Sequence, residues 1–247
     1  ETLMMYRKIF PASPVILSTW NDADPRSVDR LQSAKVHVVL IEKPAFPGRQ
    51  NINYQIISSR NGIRRARDVG AQYAIKMRTD QRVYSPSLLS HLFNLMDTFP
   101  LRRETTAQKK RIIGCALDTF KFRLYGFTDM VIFGDMSDME LYWSCDLDDR
   151  VFAPEEEKKA FSTLRRFSQM RICEVYLTTE FLKRIGRPLK WTLHDSWKAF
   201  ADHFCVADNR QLDLFWPKYD RLEERWLSYK SGVNMGQELT FAEWLNL

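Results

Sequence analysis

Apolar and polar positions over the first hundred residues alternate between two periods. Pro14-Val15-Ile16-Leu17-Ser18-Thr19-Trp20 is a short apolar run ending in polar residues and predicts a strand. Asp24-Pro25 then opens a helical stretch through Ala34, with Asp24 as N-cap and Pro25 at the first helical position, where a missing N–H costs nothing. Residues 36–41, Val-His-Val-Val-Leu-Ile, carry the β-branched pattern of a strand buried on both faces of a parallel sheet. After a Pro/Gly loop at 43–50, Ile52, Ile56, Ile63 and Ala66 recur at helical spacing up to Gly70. Residues 73–78 predict a third strand, with Thr79-Asp80 at its carboxyl end. An order β-α-β-α-β requires right-handed crossovers and a mostly parallel sheet.

The second half is less regular. A helix is expected over 87–98, a strand over 111–117, a short strand over 130–133 closed by Gly134, and helices over 155–167, 173–185 and 193–204, with Gly186 and Pro188 as a stop signal. Residues 102–111 read as a polar surface loop. No internal repeat and no linker divides the chain, so one α/β domain over 1–247 with a helical C-terminal portion is expected.

Composition narrows the class. The 247 residues, 45% hydrophobic and 28% charged, suffice for a full core and exclude a disordered or fibrous chain. No stretch approaches the ~18–20 apolar residues of a membrane span, and no charged-then-apolar signal segment opens the chain. A start at Glu1 rather than Met leads us to expect one domain of a larger protein. Cys115, Cys145, Cys173 and Cys205 form no C-x-x-C pair, which suits neither zinc nor a disulfide framework and fits a reducing cytosol. His37, His91, His194 and His203 are equally scattered. The excess of 37 Lys+Arg over 31 Asp+Glu, net +6, suits nucleic acid, an anionic membrane surface or a phosphorylated small substrate, and does not choose among them.

In open α/β sheets, ligands bind beyond the carboxyl ends of the strands. Three polar clusters are expected to meet there: Ser18-Thr19-Trp20, the helix face bearing Gln55, Ser58, Ser59 and Gly62, and Arg78-Thr79-Asp80-Gln81-Arg82. A carboxylate at a strand end can hold a divalent cation against a diphosphate, with arginines neutralising the remaining phosphate charge. The alternative for Asp80 is a strand-end turn in which it caps the loop and pairs with Arg78.

Taken together, Ser18-Thr19-Trp20, Asn53-x-Gln55-x-x-Ser58-x-x-x-Gly62 and Lys76-x-Arg78-Thr79-Asp80-Gln81 resemble the WavE family of bacterial lipopolysaccharide-synthesis proteins. The resemblance continues through Thr128-Asp129-Met130-x-x-Phe133-Gly134, Glu174-x-Tyr176-Leu177, Phe215-x-x-Lys218-Tyr219 and Leu239-Thr240-Phe241-x-x-Trp244-Leu245, and so spans nearly the whole chain. It implies a GT-A-like, Rossmann-like fold and a glycosyltransferase (EC 2.4 class). The expected reaction moves a sugar from a nucleotide-sugar donor to a saccharide or lipid-linked acceptor in lipopolysaccharide, O-antigen or capsule assembly. Residues 1–100 would hold the nucleotide-sugar and 101–247 the acceptor side, in the cytoplasm or peripherally at the inner membrane, without nucleic acid.

Carried over residue by residue, the resemblance makes Asp80 the final acid of a metal-binding D-x-D motif, for Mg or Mn, with Arg78 standing where the first Asp would be. Either a cation is still held, or Arg78 supplies its charge. Ser18, Thr19 and Trp20 match the edge of the nucleotide site, where Trp20 either stacks on a base or fills core. Gln55 and Ser59 face the same cleft, and Arg60 or Arg65 is a candidate phosphate contact. An inverting transfer needs a base, for which Asp129 and Glu174 are the candidates; for Glu174 the competing reading is an acid placed in a first helical turn by the helix dipole. His194-Asp195 reads as a helix N-terminal feature. The aromatic content, 7 Trp, 16 Phe and 9 Tyr, is mostly core and lends carbohydrate binding slight support. Lys183, Arg184 and Arg187 complement a helix dipole first and a membrane surface second. A sugar nucleotidylyltransferase would require a Gly-rich loop after the first strand, where Ser-Thr-Trp-Asn-Asp stands. A non-catalytic basic binding module has only the charge in its favour.

Overall fold

In the computed structural model, which describes residues 1–101, 107–153, 155–156, 159, 162–216 and 238–247, Asp24 caps α2 (Pro25–Ser33) as its position predicts, accepting the Ser27 amide at 2.9 Å. A short helix α1 (Thr2–Ile9) precedes β1 (Ile16–Trp20), which pairs in parallel with β2 (His37–Ile41) across α2. A 3-10 turn, Arg49–Asn51, leads into the long α3 (Ile52–Asp68), whose Ile52, Ile56, Ile63 and Ala66 are buried at the predicted spacing. There follow β3 (Tyr73–Lys76), β4 (Arg82–Val83), α4 (Leu88–Thr98), β5 (Ile112–Cys115) and β6 (Ile132–Asp135). After them come α5 (Met136–Trp143), α6 (Leu164–Gln169), α7 (Cys173–Arg184), α8 (Leu193–His203), β7 (Phe204–Ala207), β8 (Leu214–Phe215) and α9 (Phe241–Trp244). Arg102, Arg103, Lys218 and Tyr219, and part of the helix expected over 155–167, lie outside the described residues.

The fold is mixed α/β, but the strands do not form one mostly parallel sheet. They form a β1-β2 pair, a four-stranded sheet in the order β3-β6-β5-β7, and a β4-β8 ribbon. Within the four-stranded sheet β6 runs antiparallel to both neighbours, while β5 and β7 are parallel. The physical reason is the connection from β5 to β6. Residues 116–131 contain no crossover helix, so the chain turns back on itself and re-enters the sheet with reversed polarity. β2 differs from expectation too: Leu40 is 48% exposed, and among the described strands β2 pairs only with β1, so it is not an interior strand buried on both faces.

Residues 116–131 are themselves buried apart from Lys121 and Phe122, which is unusual for a loop, whose backbone polar groups need partners. Here side chains supply them. The Leu124 amide donates to Ser168 Oγ at 2.9 Å, the Tyr125 amide to Ser196 Oγ at 2.8 Å, the Leu117 amide to Asn209 Oδ1 at 3.1 Å and the Thr128 amide to Thr119 Oγ1 at 3.2 Å. Tyr125 Oη donates to the Asp195 carboxylate and accepts the Trp191 amide at 3.1 Å.

Gly62, in the middle of α3, faces β1: a Cβ added there would meet Ser18 Cβ at 3.6 Å, an ordinary contact. Glycine is therefore not required by packing. Gly62→Ala is expected to raise stability by about 0.5–1 kcal/mol through helix propensity, read as a higher urea midpoint with an unchanged slope; a lowered midpoint would contradict this packing.

Candidate functional site

The register gathers strand ends at one rim of the four-stranded sheet. Lys76, the last residue of β3, lies opposite Ile132, the first of β6, which also faces Gly114 of β5; Cys115 ends β5 opposite Ala207, the end of β7. From this rim rise Lys76, Arg78 and Asp80 after β3, Asp118, Arg123 and Asp129 in the 116–131 loop, and Asp208 and Asn209 after β7. The first turn of α7 adds Glu174.

Asp129 is the hub. Its carbonyl oxygen accepts Gln55 Nε2 at 3.1 Å and the Lys76 ammonium, which ties α3 and β3 to the loop. Its charge acts on Lys76, Arg78 and Glu174 together. Glu174 stands in an acid-rich setting: burial, then the charges of Asp129 and Asp118, push its carboxyl up to about 7, against the opposing pull of Arg123. Arg123 Nη1 lies 3.5 Å from Glu174 Oε2, too far for a good hydrogen bond, and that oxygen has no other hydrogen-bond partner among the described residues. Its side chain keeps 13% exposure, although that oxygen is itself sealed from solvent. The guanidinium of Arg123 is held in turn over the Phe120 ring at 3.8 Å.

Asp80 and Arg78 are each 40% exposed and paired two-pronged, Nε to Oδ1 at 2.9 Å and Nη2 to Oδ2 at 3.0 Å. Trp216 Nε1 donates to the same Oδ2 at 3.0 Å, and its ring lies 5.3 Å from the Arg78 guanidinium. Hydrogen bonding from Arg78 holds the Asp80 carboxyl below the usual carboxylate range. Both carboxylate oxygens are thus engaged by cationic or N–H donors, a donor set that does not fit a divalent cation. Among the described residues no three His, Cys, Asp or Glu side chains are disposed to hold a metal.

The other sequence-derived residues divide. Gln55 reaches the rim through Asp129, whereas Ser59 is buried within α3 and Ser58 bonds back to the Gln55 carbonyl at 3.2 Å. Ser18, Thr19 and Trp20 end β1, which packs against α3; Trp20 lies edge-on to Tyr54 at 5.3 Å, and Ser18 Oγ is buried without a partner. No hydrogen bond or ring contact joins Trp20 to Asp80 among the described residues. Arg60 is committed to the carbonyls of Trp143, at 3.1 Å, and Cys145, while Arg65 Nη2 meets His37 Nδ1 at 3.2 Å. Asp195 pairs with Arg187 at 2.9 Å, not with His194, and Lys183 pairs with Glu180 at 3.0 Å. Sequence reasoning missed Lys76, Asp118 and Arg123 as site residues. The available signal was position: Lys76 ends β3 and Asp118 follows β5, at strand ends of the kind where Arg78 and Asp80 were sought.

The fold and rim define a mixed α/β protein with an acid–base cluster beyond its strand ends. The family model for WavE lipopolysaccharide synthesis matches residues 1–203 of the 247, and the chain belongs to that family. Membership places the protein in lipopolysaccharide synthesis, with saccharides as its substrates. No curated protein and no solved structure matches the chain. Among the described residues no helix is long and apolar enough to cross a membrane.

Proposed function

We propose that the protein is a GT-A-like glycosyltransferase that moves a sugar from a nucleotide-sugar donor to a growing bacterial surface glycan: lipopolysaccharide, O-antigen or capsule. The observation that carries this reading is the Glu174 carboxyl, poised near neutrality beside Asp129, at the rim that also bears Lys76 and Arg78. A base with its pKa close to the working pH is what deprotonation of a sugar hydroxyl needs. Cations at the same rim suit a diphosphate leaving group. Of the two candidate bases we assign the role to Glu174. Asp129 positions the cluster, its carbonyl holding Gln55 and Lys76 and its charge raising the affinity of Glu174 for a proton. Ser18, Thr19 and Trp20, at the end of β1, would border the nucleotide base.

Calorimetric titration with UDP, GDP, TDP and CMP tests the reading. One of them is expected to bind, and the matching nucleotide sugar to raise the melting temperature by mass action. Silence from all four would overturn it. Among variants, Glu174→Gln is expected to retain nucleotide affinity while losing transfer.

A further inference from the structure

Lys76 is a half-buried cation without a carboxylate in contact. Its Nζ donates one hydrogen bond, to the Asp129 carbonyl, and lies 5.1 Å from the centre of the Trp143 ring. An ammonium carries three N–H donors, and no other acceptor meets this one among the described residues. The charged and titratable groups that face it are Arg78 at its own strand end, Asp129 from the 116–131 loop, Cys115 from β5 and Cys173 from α7. Burial, only partly offset by Asp129, lowers its pKa to about 8. A half-buried ammonium kept beside an arginine, with unused donors at the rim where strands β3 and β5 end, is a place for an anion to complete.

Resting on the transferase reading above, we propose that Lys76, together with Arg78, carries the charge of the departing diphosphate in place of a divalent cation. The bond from the anomeric carbon to the diphosphate oxygen breaks, and its electron pair leaves on that oxygen, facing Lys76 and Arg78. The acceptor hydroxyl oxygen bonds to the anomeric carbon, and its proton passes to Glu174. The engagement of both Asp80 oxygens by Arg78 and Trp216 points the same way. To free Arg78 for phosphate, the diphosphate exchanges one anionic partner for another.

The test is titration of the intact protein with UDP, GDP and TDP in EDTA and in Mg or Mn, between pH 7 and pH 9.5, beside Lys76→Met and Lys76→Arg. The parent is expected to bind one of the three in EDTA, with affinity falling roughly tenfold as pH rises through about 8 and Lys76 loses its proton. Lys76→Met, which replaces a half-buried charge by an apolar chain of similar length, is expected to melt no lower than the parent, to bind at least about tenfold more weakly, and to show no such pH dependence. Lys76→Arg keeps the charge at all these pH values, so its affinity stays level to pH 9.5. If Lys76→Met fails to fold, the parent and Lys76→Arg profiles still decide. A strict requirement for Mg or Mn, equal affinity in Lys76→Met, or a parent affinity flat through pH 8 would overturn the proposal and leave the transferase reading standing. Silence from the parent toward all three, with and without metal, would overturn the proposal, and silence toward CMP as well would overturn the transferase reading.

Discussion

Glu174→Gln is expected to lower kcat for sugar transfer by about 10²–10⁴-fold, with little change in donor affinity, in a protein that is at least as stable as its parent at pH 8. The two halves of this outcome share one cause. In the folded protein the carboxyl keeps its proton up to about pH 7, whereas in the unfolded chain it ionises near 4.5. Between those values the folded state binds more protons, so raising the pH costs the parent stability, on the order of 3 kcal/mol in total, and nothing further is lost above about pH 7. The amide variant has no proton to lose. Its melting temperature relative to the parent should therefore climb from pH 4.5 to pH 7 and then level. In the parent, kcat/KM should rise through pH ~7 as the base ionises. A variant with full activity, or a stability difference that ignores pH, would remove Glu174 from the chemistry.

Gly114→Ala should be the most crowded of the methyl additions at the described glycines. Gly114 sits in the interior strand β5, where an added Cβ would lie 2.5 Å from Thr128 Cγ2 and against the ring edge of Phe127. Neither neighbour can yield easily. Phe127 packs on Phe204 with ring centres 4.2 Å apart, and Thr128 Oγ1 accepts the Met130 amide at 3.1 Å. Overpacking of this kind costs about 3 kcal/mol or more, to be read as a fall in the urea midpoint. Because the displaced segment leads directly into Asp129, activity should fall further than the population of folded protein does. A loss below ~0.5 kcal/mol would show that the loop does not lie on β5 so closely.

Sequence patterning disclosed what is local. The Asp24-Pro25 start, the Ile52-Ile56-Ile63 stripe and the ends of α7 and α8 follow from capping chemistry and a 3.6-residue period acting within a few turns. It hid what depends on partners. Helix α5 has Met136, Asp138, Met139, Tyr142 and Trp143 buried, so it lacks the polar stripe by which a surface helix is recognised. Strand β7 begins where α8 stops, and Phe204-Cys205-Val206-Ala207 simply prolongs an apolar run. The reversed direction of β6 is a property of its pairing, on which the residues of 132–135 carry no mark. The site divides in the same manner. Asp129 and Glu174 could be nominated as acids near element starts, and Asp80 paired with Arg78 was one of the two readings its neighbours allowed. Lys76 and Arg123 acquire meaning only from what surrounds them, a carbonyl and an indole for one, a phenyl ring and a carboxylate for the other.

The buried segment between β5 and β6 hangs from hydroxyl groups on α6 and α8, Ser168 and Ser196. The acids at its two ends therefore owe their positions to the last third of the chain, although the sheet they crown is largely built earlier. Loosening of those C-terminal helices, by warmth or by mild denaturant, would cut the tethers and silence the chemistry while the strands stay paired, so that enzyme inactivation precedes the global melt.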